Sequence, residues 1–198
     1  TTVLRHAITL GSSWQDHAVT LRQLNLICEA SDLPCGWLDE FRPPASLPFA
    51  GHLGVAADDA AHATLTTQID EVLSAHNVGF GFGALAAGSD ILIAERLIAR
   101  GAELHVMLPM SRGAFRAASV EPWAENWAER FEACLDAAES VREASDVTGR
   151  YDSVANTLAS ELSMGAAVLN AGLLESVAVQ LLISDEAAGP FGTGKETA

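Results

Sequence analysis

Between residues 79 and 90 the chain reads Gly79-Phe-Gly81-Phe-Gly83-Ala-Leu-Ala-Ala-Gly88-Ser89-Asp90. Glycines at this density let a backbone approach a phosphate closely. The apolar segment that follows, from Ile91, predicts a helix whose free N–H groups and positive dipole end favour an anion. Gly81, Gly83, Gly88, Ser89 and Asp90 are therefore candidate ligand-binding residues. Gly81-x-Gly83-x-x-Ala86 also satisfies the Ala-ended dinucleotide fingerprint. The acidic residue that fingerprint needs belongs at the end of the next strand, whereas Glu103 falls at its start, which speaks against a redox dinucleotide enzyme. Without a ligand, the same residues describe a tight strand-to-helix turn with Ser89 or Asp90 as N-cap.

The elements around this turn follow from hydrophobic spacing. Residues 46–50 read as a strand ending in Gly51-His52, and residues 58–76 carry Ala61, Leu65, Ile69, Val72 and Leu73 on one helical face. Strands are expected at 78–82, 104–108, 140–144 and 177–183. Helices are expected over 91–100, from Pro122 in a first turn through Trp123, Trp127, Phe131 and Leu135, and over 154–173. Strands alternating with helices predict an α/β fold: a doubly wound, mostly parallel Rossmann-like sheet of about five strands with helices on both faces. Residues 1–44 read as an N-terminal helical extension, with a helix over 17–30 and a linker at Arg42-Pro43-Pro44. Residues 45–198 form the α/β domain.

In open sheets of this kind ligands bind beyond the carboxyl ends of the strands. That rule adds Gly51 and His52 after the first strand. It adds Arg112, with Arg116, in the loop after the third, and Arg150 and Tyr151 after the fourth. An arginine grips phosphate through two bonds and a tyrosine stacks on a base. A solvated arginine and a core tyrosine are the plain alternatives.

The segment from Gly83 through Gly88-Ser-Asp90 and Glu95 to Gly101 and Val106-Met-Leu-Pro109 resembles the SLOG superfamily. That group unites the Lonely guy (LOG) phosphoribohydrolases with the DNA-processing protein DprA. Gly51-His52, and the Phe115, Ser119-Val120, Trp123 and Arg130-Phe131 segment, resemble a bacterial subgroup whose members often carry further domains. The resemblance implies a nucleotide or nucleotide-derived ligand. The tail Gly192-Thr193-Gly-Lys195-Glu196 keeps the Gly-Thr-x-x-Glu portion of the LOG motif but departs from it upstream, where Pro190 precedes Phe191 in place of a glycine. By this resemblance Gly192 and Thr193 join the binding residues, and Glu196 with Glu95 become the candidate acid–base pair. The arginine that partners the glutamate in LOG enzymes has no counterpart between Asp152 and Leu174. A Walker A reading of Gly189-x4-Gly194-Lys195 fails because Glu196 replaces the required hydroxyl.

The whole chain has 198 residues, 26 acidic against 11 basic, for a net charge of −15. Such acidity argues against nonspecific nucleic-acid binding. Apolar residues make up 49% and charged residues 19%, a globular composition. The six histidines show no metal-ligand spacing, and the three cysteines, Cys28, Cys35 and Cys134, form no CxxC pair, as in a reducing, cytoplasmic setting. No apolar run reaches the roughly 20 residues of a membrane span. The expected partners are a small-molecule nucleotide and, through the small and apolar residues of 154–174, a second copy of the chain. The ends of the sequence suggest a module of a longer protein. The leading expectation is a nucleotide-sensing module. The alternative is an enzyme, a phosphoribohydrolase cleaving the N-glycosidic bond of a nucleoside monophosphate.

Overall fold

The computed structural model describes residues 2–9, 13–51, 59–123, 126–145 and 153–183. Its centre is a parallel sheet of five strands, β1 (Ala45–Ala50), β2 (Val78–Gly83), β3 (Glu103–Leu108), β4 (Ser140–Glu143) and β5 (Leu181–Leu182), in the order β4-β3-β2-β1-β5. The helices are α1 (Thr2–Thr9), α2 (Trp14–Ala30), α3 (Asp59–Ala75), α4 (Ser89–Ala99), α5 (Arg112–Ser119), α6 (Trp127–Ala137) and α7 (Ser153–Leu173). This is the Rossmann-like α/β architecture that the alternating pattern predicts. The first four strands step outward one at a time. The chain then crosses back along α7, which packs over β1, β2 and β3, and lays β5 on the far side of β1.

Period-2 alternation assigns the two faces of the sheet. On β2, Phe80 and Phe82 pack with Ala18 of α2 and Ala167 and Leu174 beside them. Gly81 faces α4, where a Cβ would lie 2.3 Å from Leu97 Cδ1, and a Cβ on Gly83 would lie 2.6 Å from the Phe49 ring of β1. Removing those side chains brings helix and strand close enough for Leu97, Ile91 and Ile93 to be fully buried. The main core gathers these with Leu47, Phe49, Leu104, Val106, Leu108, Phe115 and Phe131. Outside the core α4 is tied to both neighbours, with Arg96 gripping Asp70 of α3 through two bonds of 2.9 and 2.8 Å.

The N-terminal segment builds a small cluster of its own from Leu21, Cys28, Leu38 and Phe41. It is joined to the sheet domain by Ala18 and by an Arg22–Glu175 ion pair of 2.6 Å. Ser13 caps α2, its hydroxyl accepting from the Asp16 N–H at 3.1 Å.

Three expectations need correction. Residues 112–119 form a helix rather than a loop, placing Arg112 and Arg116 on α5. Pro122 stands in a turn ahead of α6, not in its first turn: Val120 is fully buried, ends α5 and accepts from the Trp123 N–H. Trp123 is consequently 46% exposed, while Trp127, Phe131 and Leu135 carry the core stripe. The strand expected over 177–183 shrinks to Leu181–Leu182 and a bridge at Ala178. Pro48 supplies the reason. Ser46 exchanges bonds with Val177 and Val179, and Ala50 accepts from Ile183, but the donor that should bridge between them belongs to a proline, which has none.

On β3, His105 stacks against Phe82 with ring centroids 4.7 Å apart and contacts the Ser140 hydroxyl at 2.9 Å. Burial pushes its pKa below 6.5, outweighing the opposing pull of Glu103 and Glu139, and Arg142 acts in the same direction as burial. The folded form then binds protons less readily than the unfolded chain. Its stability is full above about pH 6.5 and falls as the pH drops through that value. Denaturant midpoints measured from pH 7.5 to pH 5 should decline, and His105→Leu should decline less steeply. Parallel curves for the two proteins would contradict this.

Candidate functional site

The site forms where the strand order reverses. Gly51 follows the last residue of β1, and the N-terminus of α4 sits against it so closely that a Cβ on Gly51 would lie 2.3 Å from Ser89 Cβ. Gly88 enters the helix at φ 112° and ψ −130°, a conformation that only glycine adopts readily. The turn between β2 and α4 is braced from within. The Ala86 N–H donates to Asp90 Oδ2 at 3.2 Å, and the Ala87 N–H donates to the Ser119 carbonyl at 3.0 Å. The carboxylate of Asp90, 7% exposed, thus takes an amide of the turn itself. At these amides the expected bare cradle is filled by the protein's own groups.

Beside the turn lies a cavity of about 320 Å³. Its floor is the carboxyl end of the sheet: Pro48 to Gly51 at the end of β1, Gly83 and Ala84 at the end of β2, Met107 and Pro109 at the end of β3. Ala86, Asp90, Phe115 and Ser119 form one side. The N-terminal half of α7 forms the other, through Ser153, Asn156, Thr157 and Ser160, with Glu161 and Met164 continuing the wall and Gln180 below it.

The helical period divides α7 into three faces. Ala155, Ala159, Ser163, Ala167 and Ala171 are buried against the sheet, small enough for close packing. Ser153, Asn156, Thr157 and Ser160 line the cavity. Val154, Leu158, Leu162, Val168, Leu169 and Leu173 are 41% to 70% exposed on the remaining arc.

The residues singled out from the sequence divide accordingly. Gly51, Gly83 and Asp90 line the cavity. Gly81 instead lies under Leu97, and Ser89 is fully buried beneath Gly51, so both shape the floor from behind. Gly88 provides the bend. Arg112 is held by Glu132, and its backbone N–H donates to Glu143 Oε1 at 2.7 Å. Arg116 shares Glu132 at 3.1 Å. Glu95 does not line the cavity: Arg130 grips it with bonds of 2.7 and 2.6 Å and lies over the Trp127 ring at 4.1 Å. This pair fastens α4 to α6. His52, Arg150, Tyr151, Gly192, Thr193 and Glu196 lie outside the described residues.

Sequence reasoning missed the α7 wall. Its signal was present in the polar spacing of residues 153, 156, 157 and 160, which repeats at helical intervals. The long apolar stripe of the same helix masked it. Among the described residues no group of three His, Cys, Asp or Glu could hold a metal ion, and no helix is long and apolar enough to cross a membrane. All three cysteines are free, and burial pushes the Cys134 thiol up to about 12. No family model, no curated protein and no solved structure matches this chain.

Proposed function

We propose that this domain binds a nucleotide or nucleotide-derived small molecule in the cavity at the carboxyl end of its sheet, and does so as a sensing module. The cavity itself carries this reading: about 320 Å³, bordered by Gly51, Gly83, Ala86 and Asp90. Its size falls within the roughly 300–1,000 Å³ of small-molecule sites. Its position, next to the reversal of strand order, is where open α/β sheets hold their ligands. The SLOG-like run from Gly83 to Pro109 supports the ligand class.

Binding is favoured over N-glycosidic hydrolysis by the placement of charge. A hydrolase needs an acid–base carboxylate together with a cation for the developing charge. Glu95 is committed to Arg130, and no cation is found among the described residues that line the cavity. Titration calorimetry with AMP, GMP and ADP-ribose should yield saturable heat with at least one of them, and no free base should be released from AMP. Absence of heat and of any thermal shift with all three, and with adenosine and guanosine, at millimolar concentration would refute the reading.

A second copy of the chain is the partner we assign to α7. Glu161 is the one charged residue of this 21-residue helix and lies in the row of Val154 and Val168, so the part of the outer arc carrying Leu158, Leu162, Leu169 and Leu173 is where two copies of an acidic protein repel least. The exposed parts of Val154, Leu158, Leu162, Val168, Leu169 and Leu173 amount to on the order of 600 Å², against about 800 Å² per partner in a standard interface. Val177, 55% exposed, is a further apolar residue shortly after the end of this helix. Gly165 and Gly172 flank Leu169 with open space above them, leaving hollows for a facing side chain.

A further inference from the structure

The chemistry of the cavity wall narrows the ligand further. Resting on the reading that the cavity takes a nucleotide-derived molecule, we propose that it encloses the uncharged nucleoside part, sugar and base, and that its described walls offer a phosphate no cation.

Charge is the first reason. The ionisable residues lining the cavity, among those described, are Asp90 and Glu161, with no arginine, lysine or histidine. A phosphate monoester carries about −1.5 to −2 at neutral pH and would meet two carboxylates. The arginines of α5 do not correct this, because Arg112 and Arg116 converge on Glu132, and Arg116 also meets Glu121 at 3.0 Å. The helix end that would otherwise favour an anion already has one. Asp90 sits in the first turn of α4 and accepts from the Ala86 amide.

The second reason is the donor set. Ser153, Asn156, Thr157 and Ser160 present hydroxyls and one amide along a single stripe of α7, and Ser119 and Gln180 add further neutral groups. Thr157 already donates its hydroxyl to the Ser153 carbonyl at 3.0 Å, which leaves its oxygen only an acceptor's role toward a ligand. Groups of this kind exchange hydrogen bonds with sugar hydroxyls without requiring charge. A carboxylate such as Glu161 accepts from hydroxyls, the same role an acidic residue plays toward ribose in dinucleotide sites. The rest of the lining, Pro48, Met107, Pro109, Phe115 and Met164, supplies flat and polarisable apolar surface for a base.

The test is paired calorimetry of adenosine, guanosine, cytidine and uridine, each against its own 5′-monophosphate. For whichever base binds, the nucleoside should bind as tightly as the monophosphate or tighter. The affinity should stay constant from 50 to 500 mM NaCl. Glu161→Gln, an exposed position, should weaken nucleoside binding about tenfold with an unchanged melting temperature. Asn156→Ala should weaken it by a similar factor. A monophosphate binding more than threefold tighter than its nucleoside would overturn the inference and leave the nucleotide-binding reading standing. A protein that binds neither member of any pair would overturn both.

Discussion

Replacing Phe131 with alanine is expected to lower the unfolding free energy by about 3–5 kcal/mol, the usual range for emptying a buried aromatic site. Phe131 is completely buried, and its ring lies 6.2 Å from that of Phe115 at an interplanar angle of 32°. It projects from α6 into the main core, where α6 meets α4. The surroundings cannot collapse freely into the space it leaves. α4 is anchored on both sides, by Arg96 to Asp70 and by Glu95 to Arg130, and on the sheet by Leu97 against Gly81. Trp123 is the control. It is also aromatic and stands just before α6, but it is 46% exposed, so Trp123→Ala should cost about 1 kcal/mol or less. Urea denaturation with an unchanged slope measures both. Equal costs for the two substitutions would mean that burial of Phe131 is not what seats α6 on the core.

Leu169→Glu is expected to convert a dimer into a monomer. Leu169 is 69% exposed at the middle of the apolar arc of α7, between Gly165 and Gly172. Burying a leucine contributes about 1.5–3 kcal/mol, and a two-fold interface uses each residue twice. The loss is then about 3–6 kcal/mol per dimer, or roughly two to four orders of magnitude in the dissociation constant. Two facing carboxylates add repulsion to that loss. Sedimentation velocity over a range of concentrations resolves the species, and circular dichroism checks that the helix is retained. A parent protein that sediments as a monomer at 100 µM would remove the second copy from this face.

The two substitutions probe features that differ in how far the sequence announces them. The apolar run of α4, the glycine turn ahead of it and the alternation of strands with helices are local patterns, so the parallel sheet and the ends of its first strands are readable directly. α5 is different. Between Arg112 and Ser119 the only large buried side chain is Phe115, too little for a periodic stripe, and the helix forms because Phe115 and Ser119 find the core. The shortened β5 is a long-range effect of the same kind: the missing donor at Pro48 breaks a ladder with residues more than a hundred positions away.

By itself the sequence determined the α/β class and the strand order's raw materials, and it pointed to the region beside Gly83 and Asp90 where the cavity lies, because hydrophobic period and glycine placement act over a few residues. Only the tertiary structure decided the electrostatics of that place. It paired Glu95 with Arg130 across 35 positions and Arg112 with Glu132 across 20, turning expected ligand contacts into ties between helices. It also brought Ser153, Asn156, Thr157 and Ser160 over the sheet to complete the cavity. Charges find partners by distance in space, and a one-dimensional pattern does not contain that distance until the crossover along α7 has folded.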